Sequence, residues 1–161
     1  PQEIAPYTKE IASFIVSEND LLRERTANAL GRIGRADYKL VAPYFKELFI
    51  LAGDKSSNVR LSFIWASENI ATNTPTVYED CLPIFAELLN DENERVRIEA
   101  PEMFRVLGKR KPEFVRPYLE KLEYIATHDE VSVVRIHAKG ALELYYLKPS
   151  KSQTLRRRIN K

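Results

Sequence analysis

Residues 58–71 read NVRLSFIWASENIA. Val59, Phe63, Ala66 and Ile70 recur there at three- and four-residue intervals, the spacing of one face of an α-helix. At about 100° per residue, the chain's only tryptophan, Trp65, falls on the opposite side of that helix. A soluble chain that turns its one tryptophan away from the core raises the question of what the helix packs against. The answer lies in the dipeptide Val59-Arg60.

That dipeptide has three counterparts, Leu22-Arg23, Val96-Arg97 and Val134-Arg135, and the arginines are 37, 37 and 38 residues apart. Counting from each arginine, the third position is Thr26, Phe63, Ala100 and Ala138. The sixth is Ala29, Ala66, Met103 and Ala141, and the tenth is Ile33, Ile70, Leu107 and Tyr145. These columns share one helical face. Gly34 and Gly108 follow eleven residues after their arginines, where a left-handed C-terminal cap is expected to end the helix.

A second element precedes each arginine: APYTKEIASFIV, APYFKELFILAG, LPIFAELLND and RPYLEKLEYIATHD, with prolines at 6, 43, 83 and 117. Proline is tolerated in the first turn of a helix, where its missing N–H has no partner to lose, and kinks a helix further in. Polar turns such as SEND, GDKSSN, NDENER and HDEVS join the two elements. The unit is therefore helix, turn, helix, connector. The expected pairs are 6–17 with 20–34, 38–53 with 56–72, 76–90 with 93–109, and 112–127 with 131–147. The third unit is three residues short between Pro83 and Arg97, and the connector before it, ATNTPTVYED, is three residues long in compensation. Such a pair is too small to bury its own apolar stripe, so neighbouring units stack.

The pattern resembles the HEAT-repeat family over residues 3–147. The family pattern has a proline early in the first helix, an aspartate in the turn, then Val-Arg and small residues in the second helix. Asp54, Asp91 and Asp129 each stand six residues before Arg60, Arg97 and Arg135; the first unit departs, with Ser17 at that position. The resemblance implies an all-α superhelix of four antiparallel helix pairs in one domain, residues 1–147. Its units are roughly 3–36, 37–74, 75–110 and 111–147, and residues 148–161 form a basic tail. The arginine column, Arg23, Arg60, Arg97 and Arg135, reads as a structural ladder bonding turn carboxylates and carbonyls of adjacent units, since guanidinium and carboxylate match in geometry.

In HEAT-like arrays the second helices line a concave groove, so the resemblance implies that their outward positions face it. The position after the arginine is usually polar in the family; here it is Leu61, Ile98 and Ile136 in three of four units. An apolar band with Trp65 is expected across the groove, rimmed by Arg25 and Arg32 on one side and Glu99 and Glu102 on the other. An aromatic anchor with a charged rim is the composition of a protein-binding site. The alternative is packing of the same residues between adjacent second helices.

The net charge of +2 hides an asymmetry. The stretch KPSKSQTLRRRINK, residues 148–161, holds six basic residues and no acid, leaving 19 basic against 23 acidic residues elsewhere. A basic tail is the best argument for nucleic-acid binding, supported by Arg25 and Arg32, whereas Glu99 and Glu102 oppose it. His128 and His137 have no Cys, His or Asp at metal-ligand spacing. No Gly-rich phosphate loop is present. The expectation is a non-catalytic binding protein with no cofactor and no metal. The single Cys81 excludes an internal disulfide framework and suits a reducing cytoplasm. No apolar run nears the roughly 20 residues of a membrane span, and no signal-peptide pattern is read. A start at Pro1 without methionine, and terminal units without a polar capping helix, fit a piece of a longer array.

Overall fold

A computed structural model describes residues 3–146, apart from the side chain of Leu144; the basic tail expected at 148–161 lies outside the described residues. Every regular element among them is helical. The second helices of the units are long: α2 is Asp20–Ala36, α5 Ser57–Asn73, α7 Glu94–Gly108 and α10 Ser132–Tyr146. They stack side by side in chain order, α2 on α5, α5 on α7 and α7 on α10.

The first helices are shorter because proline interrupts them. The first unit contributes a 3-10 turn, Ala5–Tyr7, then α1, Thr8–Ser13. The second runs through α3, Tyr38–Val41, a 3-10 turn at Ala42–Tyr44 and α4, Phe45–Leu48. In the third, a 3-10 segment Pro75–Cys81 leads into α6, Leu82–Leu88. The fourth repeats the second unit, with α8, Pro112–Val115, the 3-10 turn Arg116–Tyr118, and α9, Leu119–His128. Pro43 and Pro117 thus sit at a break between two helical pieces rather than in a unit's first turn. There the lost N–H and fixed φ convert α geometry to 3-10. A further proline, Pro101, lies inside α7 and is buried, leaving the carbonyl of Arg97 without its intrahelical donor.

Side-chain caps fix the turns. Asn19 Oδ1 accepts from the N–H of Leu22, and Asn93 Oδ1 from that of Arg95. In three turns the aspartate bonds the N–H two residues on: Asp54 to Ser56, Asp91 to Asn93 and Asp129 to Val131, each at 2.8 Å. Ser17 does the same for Asn19 at 3.2 Å. The aspartate column therefore sets the turn locally before it makes any contact with another unit.

The core runs the length of the stack. Its centre is an aromatic cluster at the junction of the second and third units, where Phe63 and Phe85 stack with centroids 5.3 Å apart and Phe45, Phe49 and Tyr78 pack edge-on around them. The two glycines expected as left-handed caps, Gly34 and Gly108, do not adopt that conformation, and Gly34 serves a different purpose. No glycine in the described chain has positive φ. Gly34 lies inside α2, where an added Cβ would meet Ile70 Cγ1 and Val41 Cγ2 at 2.7 Å; Gly31, one turn earlier, would meet the Ala66 Cα at 2.5 Å. Absence of a side chain lets α2 and α5 approach closely.

Candidate functional site

Two faces of the stack carry the residues singled out above. The first is the turn edge. Arg23 donates through Nε and Nη2 to both oxygens of Asp54 at 2.6 and 2.8 Å, and Arg60 does so to Asp91 at 2.7 and 2.7 Å. Arg97 donates through Nε to Asp129 at 3.1 Å. Each arginine also turns Nη1 onto carbonyls of its own turn: Ser17 for Arg23, Asp54 for Arg60, Asp91 for Arg97 and Asp129 for Arg135. In Arg23 and Arg60 the guanidinium thus holds its own turn with one nitrogen and the next unit's aspartate with the other two; in Arg97 the aspartate takes Nε and Glu130 takes Nη2. The aspartate six residues before each arginine is not its carboxylate partner; the partner stands 31 or 32 residues on. Burial by itself raises the Asp54 carboxyl. The hydrogen bonds from Arg23 and the Ser56 N–H, with Arg23's charge, outweigh burial and hold it below its ordinary value.

The second face is the outward side of the second-helix layer. Trp65 is the sole exposed residue between Val59 and Ala71, at 37%. Both flanks of α5 are covered, by α2 and α7, which is why the rest of that segment is enclosed. Leu61 is 3% exposed and belongs to the core, so it does not reach a partner as the helical-wheel arithmetic placed it. Ile98 is half-buried against the core, whereas Ile136 is 63% exposed. These three residues share one position, and it faces the next unit rather than the groove; Ile136 is open because no unit follows it in the described chain. The expected apolar band therefore reduces to Trp65.

Around Trp65 the face is charged. Arg25 and Arg32, on α2, are exposed. One turn beyond Trp65 on α5 is Glu68, mostly buried, with an Oε1 that has no hydrogen-bond partner among the described residues. Burial, then the neighbouring charges of Glu99 and Glu102, push its carboxyl up to about 8; Arg105 acts in the opposite sense. Glu102 hydrogen-bonds Arg105, one turn along α7, and its Oε1 lies 3.2 Å from His137 Nδ1 on α10. Glu68, Arg105 and His137 thus join the expected Glu99 and Glu102 in one cluster spanning three helices. The sequence signal for it was present, since acids fall at outward positions of two successive second helices. Its consequence, a carboxylic acid that keeps its proton at neutral pH, depends on depth of burial.

Among the described residues no group of three or more His, Cys, Asp or Glu is arranged to hold a metal ion, and no helix is long and apolar enough to cross a membrane. Cys81 is half-buried, with its thiol raised by burial and turned toward the Val77 carbonyl. His128 stacks on Tyr124 at the surface.

No family model and no curated protein matches the chain. Solved structures do. An engineered protein superposes with a TM-score of 0.72 at 18% identity, over 90% of this chain and 64% of that one. A designed armadillo repeat protein in complex with the peptide (KR)4 gives 0.71 at 20% identity, over 84% of this chain and 62% of that one. A computationally designed armadillo repeat protein for modular peptide recognition gives 0.68 at 19%, over 84% and 63%. The chain spans less than two thirds of the length of each. The stacked pairs, the register of the arginine rungs and these likenesses lead to one conclusion: the chain is an α-helical repeat solenoid with an armadillo-like fold.

Proposed function

We propose that the chain is a HEAT-type binding module of the cytoplasm that holds an extended, basic segment of a protein or peptide along the face of α2, α5, α7 and α10, without catalysis. One observation carries the reading: an exposed tryptophan stands one turn along α5 from the half-buried Glu68, whose carboxyl is pushed up by burial and by the nearby charges of Glu99 and Glu102. A lysine or arginine laid over that cluster gives the Glu68 carboxylate the counter-charge it lacks, and its alkyl stem or a neighbouring side chain covers the Trp65 ring. The designed neighbour that holds (KR)4 on the same type of solenoid supports this choice of partner chemistry. A nucleic-acid backbone along the same face meets Arg25 and Arg32 first, then the carboxylates of Glu99 and Glu102, which repel it.

The test is a titration with (KR)4 followed by Trp65 emission, which needs no deconvolution in a chain with one tryptophan. The expected result is a saturable change that Glu99→Gln with Glu102→Gln abolishes, while an oligo-glutamate peptide produces none. Response to the acidic peptide alone, or to a DNA duplex in preference to (KR)4, would refute the reading.

A further inference from the structure

Helix α5 divides the outward face by sign of charge. On its α2 side stand Arg32 and Arg35, both exposed. The stack itself places Arg35: its Nη1 donates to Asn69 Oδ1 at 3.2 Å, and its carbonyl accepts from Asn73 Nδ2 at 2.7 Å. Asn69 in turn donates through Nδ2 to the Trp65 carbonyl at 2.9 Å. The Arg35 guanidinium is thus anchored on α5 one turn along from the tryptophan. Neither arginine has a carboxylate partner among the described residues.

On the α7 side the sign reverses. Arg105 offsets Glu102 through the bond between them, whereas Glu99 has no cation partner among the described residues. Glu68 Oε1 is buried beside them without a hydrogen-bond donor. Trp65 stands between the two sides, 37% exposed. A segment that is basic along its whole length is attracted at α7 and repelled at α2, where its cations meet Arg32 and Arg35. A segment of uniform negative charge meets the opposite arrangement, so uniform charge of either sign is rejected at one end of the face.

We propose that the segment held on this face reverses charge along its length, acidic where it crosses the C-terminal end of α2, apolar on Trp65 and basic over Glu99 and Glu102. This rests on the reading of the face as a peptide-binding surface and names the pattern of the peptide. Neighbouring helix axes lie about 8–10 Å apart and an extended chain advances about 3.3 Å per residue, so the acid and the base stand roughly six residues apart. The acid makes charge-assisted bonds to the guanidinium groups, and the base supplies the counter-charge that Glu68 and Glu99 lack. Midway between them an aliphatic side chain covers the indole.

Three peptides of one composition test this at low salt, where exposed charges are least screened. EEEGLGKKK and KKKGLGEEE present the two charge blocks in either chain direction, and EKEGLGKEK intersperses the same charges. Each is titrated against the full chain beside (KR)4, with Trp65 emission as the signal. At least one of the two block peptides is expected to bind tenfold or more tighter than both EKEGLGKEK and (KR)4. Arg32→Glu with Arg35→Glu is expected to weaken that block peptide at least tenfold and to strengthen (KR)4. Arg32→Glu alone, at an exposed position, gives the same signs with smaller size, and circular dichroism checks that each variant stays folded. If EKEGLGKEK or (KR)4 binds as tightly as the block peptides, or if the arginine variants leave the order of affinities unchanged, the charge reversal is overturned. The basic-segment reading still stands in that case, provided that Glu99→Gln with Glu102→Gln abolishes the (KR)4 response. A (KR)4 response that ignores Glu99 and Glu102 removes that reading, and this inference with it.

Discussion

Glu68→Gln is expected to stabilise the protein by an amount that grows with pH. In the folded chain the Glu68 carboxyl is pushed from 4.5 up to about 8, mainly by burial and then by Glu99 and Glu102. Between those two values the folded state holds a proton that the unfolded chain has released, so this group makes stability fall as pH rises. The slope is about 1.4 kcal/mol per pH unit. At pH 7 the accumulated cost is about 3 kcal/mol, and above pH 8 it levels off near roughly 5 kcal/mol. Glutamine keeps the shape and removes the titration. The variant's gain over wild type is therefore smallest near pH 4.5, and at neutral pH it raises the melting midpoint by roughly 6–12 °C for a chain of this size. Thermal or urea unfolding followed by circular dichroism at pH 5, 7 and 9 measures it. Taking the difference between the two proteins cancels the other titrating groups and any constant cost of placing the amide. A difference that is the same at pH 5 and pH 9 refutes the reasoning.

Other outcomes follow from the same geometry. Arg60→Ala strands the buried Asp91 carboxylate and is expected to cost about 3–5 kcal/mol, whereas Arg135→Ala gives up, among the described residues, bonds to carbonyls alone and costs about 1–2 kcal/mol; urea midpoints compare them directly. Gly31→Ala drives a Cβ into the Ala66 backbone and should destabilise by about 1–3 kcal/mol. Gly140→Ala has open space around it within α10 and should stabilise by about 0.5–1 kcal/mol, measured the same way. Affinity for (KR)4 should rise with pH by up to about tenfold per unit below the Glu68 value and level off above it, because a bound cation favours the ionised carboxylate. A pH-independent affinity by calorimetry would separate Glu68 from the binding site.

The solenoid was legible in the sequence because stacking repeats one local pattern, and four arginines in phase reveal the period without any tertiary information. The helix pairs were legible for the same reason. Direction across the stack was not. Leu61, Ile98 and Ile136 share a column whether it faces a groove or the next unit, and only coordinates distinguish a residue 3% exposed from one 63% exposed. The aspartates posed the same problem: each is six residues from one arginine and 31 or 32 from another, and the nearer one in sequence is not the ion-pair partner. Gly34 reads as a cap by position, yet the helix runs on to Ala36 because Asp37 ends it with an extended backbone. Glu68 was visible as an outward acid. Its retained proton arises from enclosure between helices of different units, which a single helical wheel cannot represent.

The rungs weaken along the chain, and this assigns the stack its flexible end. Arg23 and Arg60 grip the next unit's aspartate with two bonds of 2.6–2.8 Å, Arg97 grips its aspartate with one of 3.1 Å, and Arg135 finds no carboxylate among the described residues. Gly31 and Gly34 also bring α2 against α5 so closely that a Cβ does not fit. Opening of the α7–α10 junction therefore breaks fewer and longer bonds than opening of α2–α5. The acid cluster straddles that looser junction, with Glu102 on one side and His137 on the other. Amide hydrogen exchange is expected to be faster along α10 than along α5, and a basic peptide bound across the cluster should slow α10 more than α2. Uniform exchange along all four second helices would mean that the rungs do not set the local stability, and that apolar stacking alone carries the array.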